Sequence, residues 1–138
     1  NHDVKGAKIF GYKVKNPQDY GVVVIDKKNL PIQLIEKPEK FYSAIAVTGM
    51  YFYDETVFDR IRELKPSNRG EFEITSLNNS YLKDHKLKLE ILSQGTAWLD
   101  TGTPQGINDA SNYIRLIQER QNSLIGDPLT VSKVLGWI

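Results

Sequence analysis

The stretch from Gly95 to Pro104, GTAWLDTGTP, constrains the fold most, because it places a lone carboxylate, Asp100, between a predicted strand and a helix start. Residues 86–92 alternate between polar and apolar side chains, which predicts a strand. Thr103 followed by proline is typical of a helix start. An aspartate placed there lies where open α/β sheets bind ligands, and it could hold Mg²⁺ against a phosphate. The alternative is that its side chain only caps the turn, and the spacing alone does not separate the two.

Hydrophobic periodicity along the rest of the chain predicts an α/β fold. Strands are expected near residues 7–15, 20–26, 32–37, 45–53, 86–93 and 97–100. Helices are expected near residues 55–64, 73–83 and 104–121, and a short helix follows residue 128 and stops at Gly136. Asp54 is expected to cap the first helix, whose apolar face comprises Val57, Phe58, Ile61 and Leu64. The run from Tyr20 to Ile25 is apolar throughout, which predicts a strand covered on both faces.

The amino-acid composition excludes several classes of protein. The 138 residues carry 18 basic and 17 acidic side chains, a net charge of +1, so the sequence lacks the charge typical of nucleic-acid or membrane binding. The absence of cysteine excludes disulfides and a thiolate zinc site. No apolar run approaches the roughly 20 residues that span a membrane. We therefore expect a globular, cytoplasmic protein, and a small anionic ligand stays possible because its site needs only a few local charges.

Three short segments carry residues suited to a ligand. Gly21 precedes the apolar strand, where a missing side chain would let a ligand approach the backbone, although a plain strand-entry glycine is equally compatible. Glu36 and Lys37 stand directly before Pro38, so we expect an extended backbone with the two side chains on opposite faces. Such a charged pair is usually a solvated strand end. Gly49 interrupts a β-rich run at a cost of roughly 0.5–1 kcal/mol relative to alanine, which suggests close approach of another group.

Five ordered groups of residues resemble one family. They are Gly11–Val14 with Pro17–Val23, Glu36–Pro38, Val47–Asp54, Arg69–Thr75 and Trp98–Thr103, which read GYKV with PQDYGVV, EKP, VTGMYFYD, RGEFEIT and WLDTGT. In order and approximate spacing they resemble the bacterial sugar nucleotidyltransferases of the glucose-1-phosphate thymidylyltransferase family, over roughly residues 6–122. A single one of these motifs would be a weak signal, whereas all of them in order are specific.

The resemblance implies a fold and a division of the chain. It implies the C-terminal part of a nucleotidyltransferase, a Rossmann-like α/β fold with a mixed sheet and flanking helices. Residues 1–122 would form the half that carries the sugar site and the second metal carboxylate, and residues 123–138 a C-terminal helical tail. About the first 120 residues of the family pattern, with its glycine-rich triphosphate loop and first metal-binding aspartate, would be absent from this sequence.

The resemblance also implies roles for individual residues. Lys37 would contact the phosphate of glucose 1-phosphate, and Glu36 would accept hydrogen bonds from sugar hydroxyls. Asp100 would bind Mg²⁺ and act with Lys37 in catalysis. The substrate-binding residues implied in this way are Gly21, Glu36, Lys37, Val47, Gly49, Tyr51 and Trp98. Glu71 or Glu73 has a weaker case for a place near the sugar, since a charge run before a helix is usually solvated.

By the same resemblance, the parent enzyme would make dTDP-glucose and pyrophosphate from dTTP and glucose 1-phosphate with Mg²⁺, for polysaccharide precursor synthesis. Its partners would be these substrates, without nucleic acid or membrane, and it would be a homo-oligomer. The isolated chain would be inactive, because it has one metal carboxylate and no triphosphate loop. Two alternatives stay open: a non-catalytic sugar-phosphate-binding or assembly module, and a uridylyl, adenylyl or guanylyl relative.

Overall fold

Five strands of the chain form one mixed sheet. The computed structural model describes residues 5–138, which divide into two compact units, and the sheet belongs to the first unit, which ends at Thr96. The elements of this unit are β1 (Ala7–Lys13), a 3-10 turn (Pro17–Asp19), β2 (Val22–Ile25), β3 (Pro31–Ile35), β4 (Ile45–Tyr53), α1 (Val57–Glu63), α2 (Ile74–Lys83) and β5 (Leu87–Ile91). The strand order is β3-β2-β4-β1-β5, with β1 and β5 parallel and the other pairs antiparallel. The predicted α/β class, a mixed sheet with helices, is confirmed.

The core of the first unit lies between α2 and one face of the sheet. The buried cluster comprises Ala7, Ile9, Val23, Leu34, Ile45, Leu77, Tyr81 and Leu87. Val22, on the opposite face of β2 from Val23, is also fully buried. Burying an aliphatic side chain of this size contributes roughly 1.5–3 kcal/mol, so these residues specify the register of β2. The prediction that this strand is covered on both faces is confirmed.

One carboxylate organises the turn between β2 and β3. Asp26 Oδ1 accepts hydrogen bonds from the amides of Lys28 (2.8 Å) and Leu30 (2.9 Å), and Asn29 has a left-handed φ of 62°. Aspartate and asparagine favour such turns because their side chains bond the nearby backbone and tolerate this conformation. Val22 pairs with Ile35 in the resulting hairpin, so the residues after β3 return to the start of β2.

Asp54 ties three parts of the first unit together. Its carboxylate accepts hydrogen bonds from the Gly6 amide (2.7 Å), the Thr56 amide (3.1 Å) and the Tyr81 hydroxyl (3.1 Å). The N-cap position of α1 is Thr56 rather than Asp54, so the helix starts later than expected. Phe58 is 67% exposed, so the apolar face predicted for α1 is buried only in part.

The second unit, residues 97–138, contains two helices. They are α3 (Pro104–Gln121) and α4 (Pro128–Val134). Thr103 caps α3, and its Oγ1 accepts a 3.0 Å hydrogen bond from the Gly106 amide. After α4 the chain turns at Gly136, whose φ of 67° is left-handed and favours glycine. The predicted helix start at Thr103 and both helices are confirmed.

The strand predicted near residues 97–100 is wrong. β5 ends at Ile91, the chain turns at Gly95 (φ 94°), and residues 96–101 have no regular secondary structure. A strand needs a neighbour to complete its backbone hydrogen bonds, and among the described residues no strand pairs with this segment. Alternation of side chains cannot reveal whether such a neighbour exists.

Within residues 5–138, no helix combines the length and the hydrophobicity that crossing a membrane requires. The division of the chain expected at residues 122–123 stays a prediction.

Candidate functional site

The residue after β3 carries the carboxylate that the resemblance assigns to sugar hydroxyls. Glu36 is partly buried, and its Oε2 accepts a 2.5 Å hydrogen bond from Thr75 Oγ1 in the first turn of α2. Gly21 lies against both groups, since a Cβ added there would stand 3.0 Å from Glu36 Oε2 and 3.0 Å from Thr75 Oγ1. Because the Glu36 and Thr75 side chains leave little room for a Cβ, glycine suits this position. An ionised carboxylate has about four acceptor sites, so Glu36 can accept further hydrogen bonds from a ligand.

Strand β4 brings three more of the predicted residues to this neighbourhood. The Val47 amide donates a 2.8 Å hydrogen bond to the Gly21 carbonyl, and Gly49 and Tyr51 follow in the same strand, where its pairing with β1 is irregular. The pKa of Tyr51 is raised mainly by burial and further by the negative charge of Glu36. Gly49 is exposed, and a Cβ there would have nothing within 4 Å. The first unit thus brings Gly21, Glu36 and Val47 together, and Gly49 is exposed further along β4.

The backbone at Lys37 departs from the expectation. A residue before proline is normally extended, but Lys37 has a left-handed φ of 37°, and its amide donates a 3.1 Å hydrogen bond to the Tyr20 carbonyl. The prediction of an extended Glu36-Lys37 pair is therefore wrong at Lys37, because the chain bends to close this bond while Pro38 is buried. Such a conformation costs of order 1–3 kcal/mol and is found mainly at functional sites. Lys37 itself is exposed.

Asp100 lies in the second unit, in the exposed loop before α3. Its Oδ1 accepts a long hydrogen bond, 3.3 Å, from the Gly102 amide. The cap of α3 is Thr103, so the Asp100 carboxylate is not needed to start the helix. Gly106 packs against the backbone here, since a Cβ added there would lie 2.4 Å from the Asp100 carbonyl oxygen. Trp98, two residues before Asp100, is half-buried.

The Asp100 carboxylate is chemically suited to be one ligand of a Mg²⁺ ion. Proteins usually bind Mg²⁺ through one or two carboxylates together with substrate phosphates. An exposed carboxylate with a single long hydrogen bond keeps most of its lone pairs for such an ion. In the described part of the chain, no three or more histidine, cysteine, aspartate or glutamate side chains form a metal-binding group. Asp100 would therefore act as a single protein ligand from this chain.

The sequence reasoning missed Thr75 and gave weight to its neighbours instead. Arg69 pairs with Glu71 (3.0 Å) and with Glu73 (3.4 Å), and Glu73 also accepts a 3.0 Å hydrogen bond from Ser67. Both glutamates therefore stabilise the loop that precedes α2. Thr75 could have been found from its helical spacing, which places it on the buried face of α2. A buried polar side chain needs a hydrogen-bond partner, and this requirement points to a contact with another element.

An open cleft of about 380 Å³ lies elsewhere in the first unit, between the ends of β1 and β5. It is lined by Tyr12, Lys13 and residues 91–96. None of the predicted site residues lines it, so this cleft is not part of the candidate site.

Comparison with known proteins decides the family. The model of the nucleotidyl transferase family matches residues 1–116. The chain belongs to this family. The nucleotidyl transferase chain is 47% identical over 135 residues to the glucose-1-phosphate thymidylyltransferase of Mycolicibacterium smegmatis, covering 98% of this chain and 47% of that protein. It is 48% identical over 134 residues to that of Xanthomonas campestris pv. campestris, covering 97% of this chain and 45% of that protein. The chain thus spans about half the length of the curated relatives it matches.

A solved structure agrees with this family. It is a 2.76 Å crystal structure of a Bacillus anthracis protein, provisionally named glucose-1-phosphate thymidylyltransferase, in complex with sucrose. It superposes on the nucleotidyl transferase chain with a TM-score of 0.71 and 41% sequence identity, covering 80% of this chain and 44% of that one. The likeness supports the mixed α/β fold described above.

Proposed function

We propose that this chain is the sugar-phosphate-binding half of a glucose-1-phosphate thymidylyltransferase and corresponds to the C-terminal part of such an enzyme. The observation that carries the proposal is the arrangement in the first unit, where Thr75 holds the Glu36 carboxylate beside Gly21 and the charge of Glu36 helps to raise the pKa of Tyr51. A few placed polar groups beside aromatic surface are typical of small-molecule sites. The names of the relatives support dTTP and glucose 1-phosphate as the substrates.

In the proposed reaction, a phosphate oxygen of glucose 1-phosphate attacks the α-phosphorus of dTTP. A new P–O bond forms there, and the bond from the α-phosphorus to the oxygen that bridges the β-phosphate breaks. Pyrophosphate leaves with that electron pair, and dTDP-glucose is the other product. The reaction needs no protein nucleophile, so the task of the protein is to orient two anionic substrates and to offset their charge.

The residues of this chain divide that task. Glu36 would accept hydrogen bonds from sugar hydroxyls, and the backbone at Gly21 and Gly49 would let the sugar approach closely. Lys37 would offset the charge of the sugar phosphate, because its exposed ammonium follows directly after Glu36. Bound Mg²⁺ would neutralise phosphate charge, and Asp100 is the residue of this chain that would ligate it.

Pyrophosphate release tests the proposal. The full-length protein should release pyrophosphate from dTTP and glucose 1-phosphate with Mg²⁺, and Lys37→Ala should weaken glucose 1-phosphate use about tenfold or more. Lys28→Ala, which removes an exposed lysine from the β2–β3 turn, is the matched control and should change nothing. Absence of turnover in the full-length protein, or equal behaviour of the two variants, would contradict the proposal.

A non-catalytic sugar-phosphate-binding module is the second candidate. It is favoured by the observation that the described residues contain no multi-ligand metal group. On either account residues 1–138 alone should not turn over, because half a metal site leaves the α-phosphate unpositioned. Turnover by this stretch within about tenfold of the full-length rate would contradict that, since lost orientation costs several kcal/mol and each 1.36 kcal/mol is tenfold. The homo-oligomer, the lack of nucleic-acid or membrane partners and the cytoplasmic location stay predictions.

A further inference from the structure

Three tyrosine rings and one guanidinium form a continuous stack that connects β4, α2 and α1. The Tyr51 and Tyr53 rings are stacked with centroids 6.0 Å apart, and the Tyr53 and Tyr81 rings with centroids 5.6 Å apart. At the far end, the Arg60 guanidinium lies 4.0 Å from the Tyr81 ring centroid. Tyr81 is fully buried, so this end of the stack is fixed. The other end is Tyr51, whose pKa is raised by burial and by the charge of Glu36. The position of Tyr51 therefore depends on how Tyr53 is held.

Tyr53 is held by a hydrogen bond to α2. Its hydroxyl donates to Asn78 Oδ1 at 2.7 Å, and Asn78 is 1% exposed. Asn78 stands one helical turn after Thr75, the residue that holds Glu36, so one face of α2 restrains both the carboxylate and the tyrosine stack. The site thus has a common support behind it, made of two polar side chains on a single helix.

The hydrogen bond with Tyr53 uses only the oxygen of the Asn78 side chain. Asn78 Nδ2 is buried and finds no hydrogen-bond partner among the described residues. Burying a polar group without a partner is unfavourable, and an apolar pair of similar shape at positions 53 and 78 would avoid that cost. A residue that is costly for the fold and bonded to the stack that ends at the site is expected to serve the site.

We propose that Tyr53 and Asn78 are a positioning pair that sets the Tyr51 ring relative to Glu36, and through it the fit of the sugar phosphate. Neither residue touches the substrate. This inference rests on the proposed function for the identity of the ligand, glucose 1-phosphate. It goes beyond that function by assigning a role to two residues outside the sugar-binding set.

Three variants of the full-length protein test the pair. Asn78→Leu and Tyr53→Phe each break the bond, and each should raise the KM for glucose 1-phosphate about three- to tenfold, with a smaller change in kcat. The double variant Tyr53→Phe with Asn78→Leu should melt no lower than the unaltered protein, because it removes the unpartnered amide without leaving the Tyr53 hydroxyl unpaired. Tyr81→Phe is the matched control, since it removes one hydroxyl from the adjacent ring in the same stack. Because that hydroxyl bonds Asp54, Tyr81→Phe should lower the melting temperature and leave the KM unchanged.

Two further readouts separate positioning from simple loss of structure. The double variant Tyr53→Phe with Asn78→Leu should raise the KM no more than either single change, because both break the same bond. In ring-labelled tyrosine NMR spectra, the Tyr51 signals should shift in Asn78→Leu and stay in place in Tyr81→Phe. An unchanged KM in Asn78→Leu, or unshifted Tyr51 signals, would overturn the proposal. If the unaltered protein does not use glucose 1-phosphate, the proposed function fails, while the NMR shift still supports or overturns the positioning of Tyr51.

Discussion

Thr75 and Glu36, 39 positions apart in the sequence, are joined by a hydrogen bond of 2.5 Å from Thr75 Oγ1 to Glu36 Oε2. This bond links the end of the β2–β3 hairpin to the first turn of α2. Hydrogen bonds to an ionised acceptor are roughly twice as strong as those between neutral groups. The carboxylate is therefore presented in one orientation rather than as a mobile surface charge, which is what recognition of a sugar ring requires.

Removal of the Thr75 hydroxyl should weaken sugar-phosphate use. Thr75→Val keeps the shape of the side chain but leaves Glu36 Oε2 without this donor. Since a hydrogen bond to a charged group contributes roughly 1.5–3 kcal/mol, we expect the KM for glucose 1-phosphate to rise about tenfold. Thr75→Ser, which keeps the hydroxyl, should stay within about twofold of the unaltered enzyme. The measurement is steady-state kinetics of the full-length protein. Equal KM values for the two variants would show that the Thr75 hydroxyl does not support substrate binding.

Two glycines in the candidate site should respond differently to alanine. Gly21→Ala places a Cβ 3.0 Å from both Glu36 Oε2 and Thr75 Oγ1, so those side chains must move apart and glucose 1-phosphate binding should weaken. Gly49→Ala meets nothing within 4 Å and should stabilise the fold by about 0.5–1 kcal/mol.

The same two variants test whether the space in front of Gly49 belongs to the ligand. If it does, Gly49→Ala raises the melting temperature and still weakens glucose 1-phosphate binding by calorimetry. If Gly49→Ala binds glucose 1-phosphate normally and has a raised melting temperature, Gly49 is an ordinary exposed strand residue without a role in binding. Gly21→Ala binding glucose 1-phosphate normally would show that the Glu36–Thr75 pair tolerates displacement.

Asp54 should contribute to the pH dependence of stability. The hydrogen bond from the Thr56 hydroxyl is the main cause that holds the pKa of the Asp54 carboxyl below its ordinary value of 3.8, aided by bonds from Gly6, Tyr81 and the Thr56 amide and opposed by burial. Because the folded pKa lies below the unfolded one, the stabilisation is complete above pH 3.8 and is lost as the pH falls through the folded pKa.

Asp54→Asn tests this contribution. The variant should melt about 5 °C lower near neutral pH, the shift expected for the loss of hydrogen bonding worth roughly 1 kcal/mol in a domain of this size, and the difference should shrink as the pH falls below 3.8. Asp59→Asn is the control, because the partner of Asp59 within residues 5–138 is Arg62 at the surface, where both side chains are 76% exposed. A constant difference in melting temperature across this pH range would assign the Asp54 effect to packing instead of charge.

Local patterns predicted most elements of the fold, and the failures share one cause. The alternation of β5 and the Thr103 cap of α3 are encoded in a few neighbouring residues, so they could be found in the sequence. The strand expected at residues 97–100 and the buried face expected to include Phe58 depend on what packs beside them. A one-dimensional pattern shows that a residue can pair or pack, and does not show that a partner is present.

The candidate site was predictable to the extent that motifs carried it. The resemblance named Gly21, Glu36 and Tyr51, which the fold brings together, although their roles stay predictions. It did not indicate the Thr75 hydroxyl, because that contact spans 39 positions, or the left-handed backbone of Lys37, because the rule for residues before proline points the other way. Positioning contacts of this kind exist only once the hairpin and α2 have met.

Asp100→Asn separates metal binding from turn formation. In the full-length protein, loss of a carboxylate ligand to Mg²⁺ should lower kcat about 100-fold or more, since even residues that only support a metal ligand commonly cost 10- to 100-fold. The Mg²⁺ concentration for half-maximal rate should rise, because a neutral amide is a poorer ligand for a hard cation. The measurement is the rate of pyrophosphate release as Mg²⁺ is titrated.

The control for Asp100 is Thr103→Ala, which removes the side-chain cap of α3 and leaves the carboxylate in place. Losing a threonine cap costs typically about 1 kcal/mol, so this variant should melt lower with an unchanged Mg²⁺ requirement. If Asp100 only shaped the turn, Asn could accept the Gly102 amide equally well, and Asp100→Asn would keep both its rate and its metal dependence. If Asp100→Asn changes neither the rate nor the Mg²⁺ requirement, the role of Asp100 is to shape the loop and not to bind the metal. A shifted Mg²⁺ titration in Thr103→Ala would show that the start of α3 and the metal affinity are coupled.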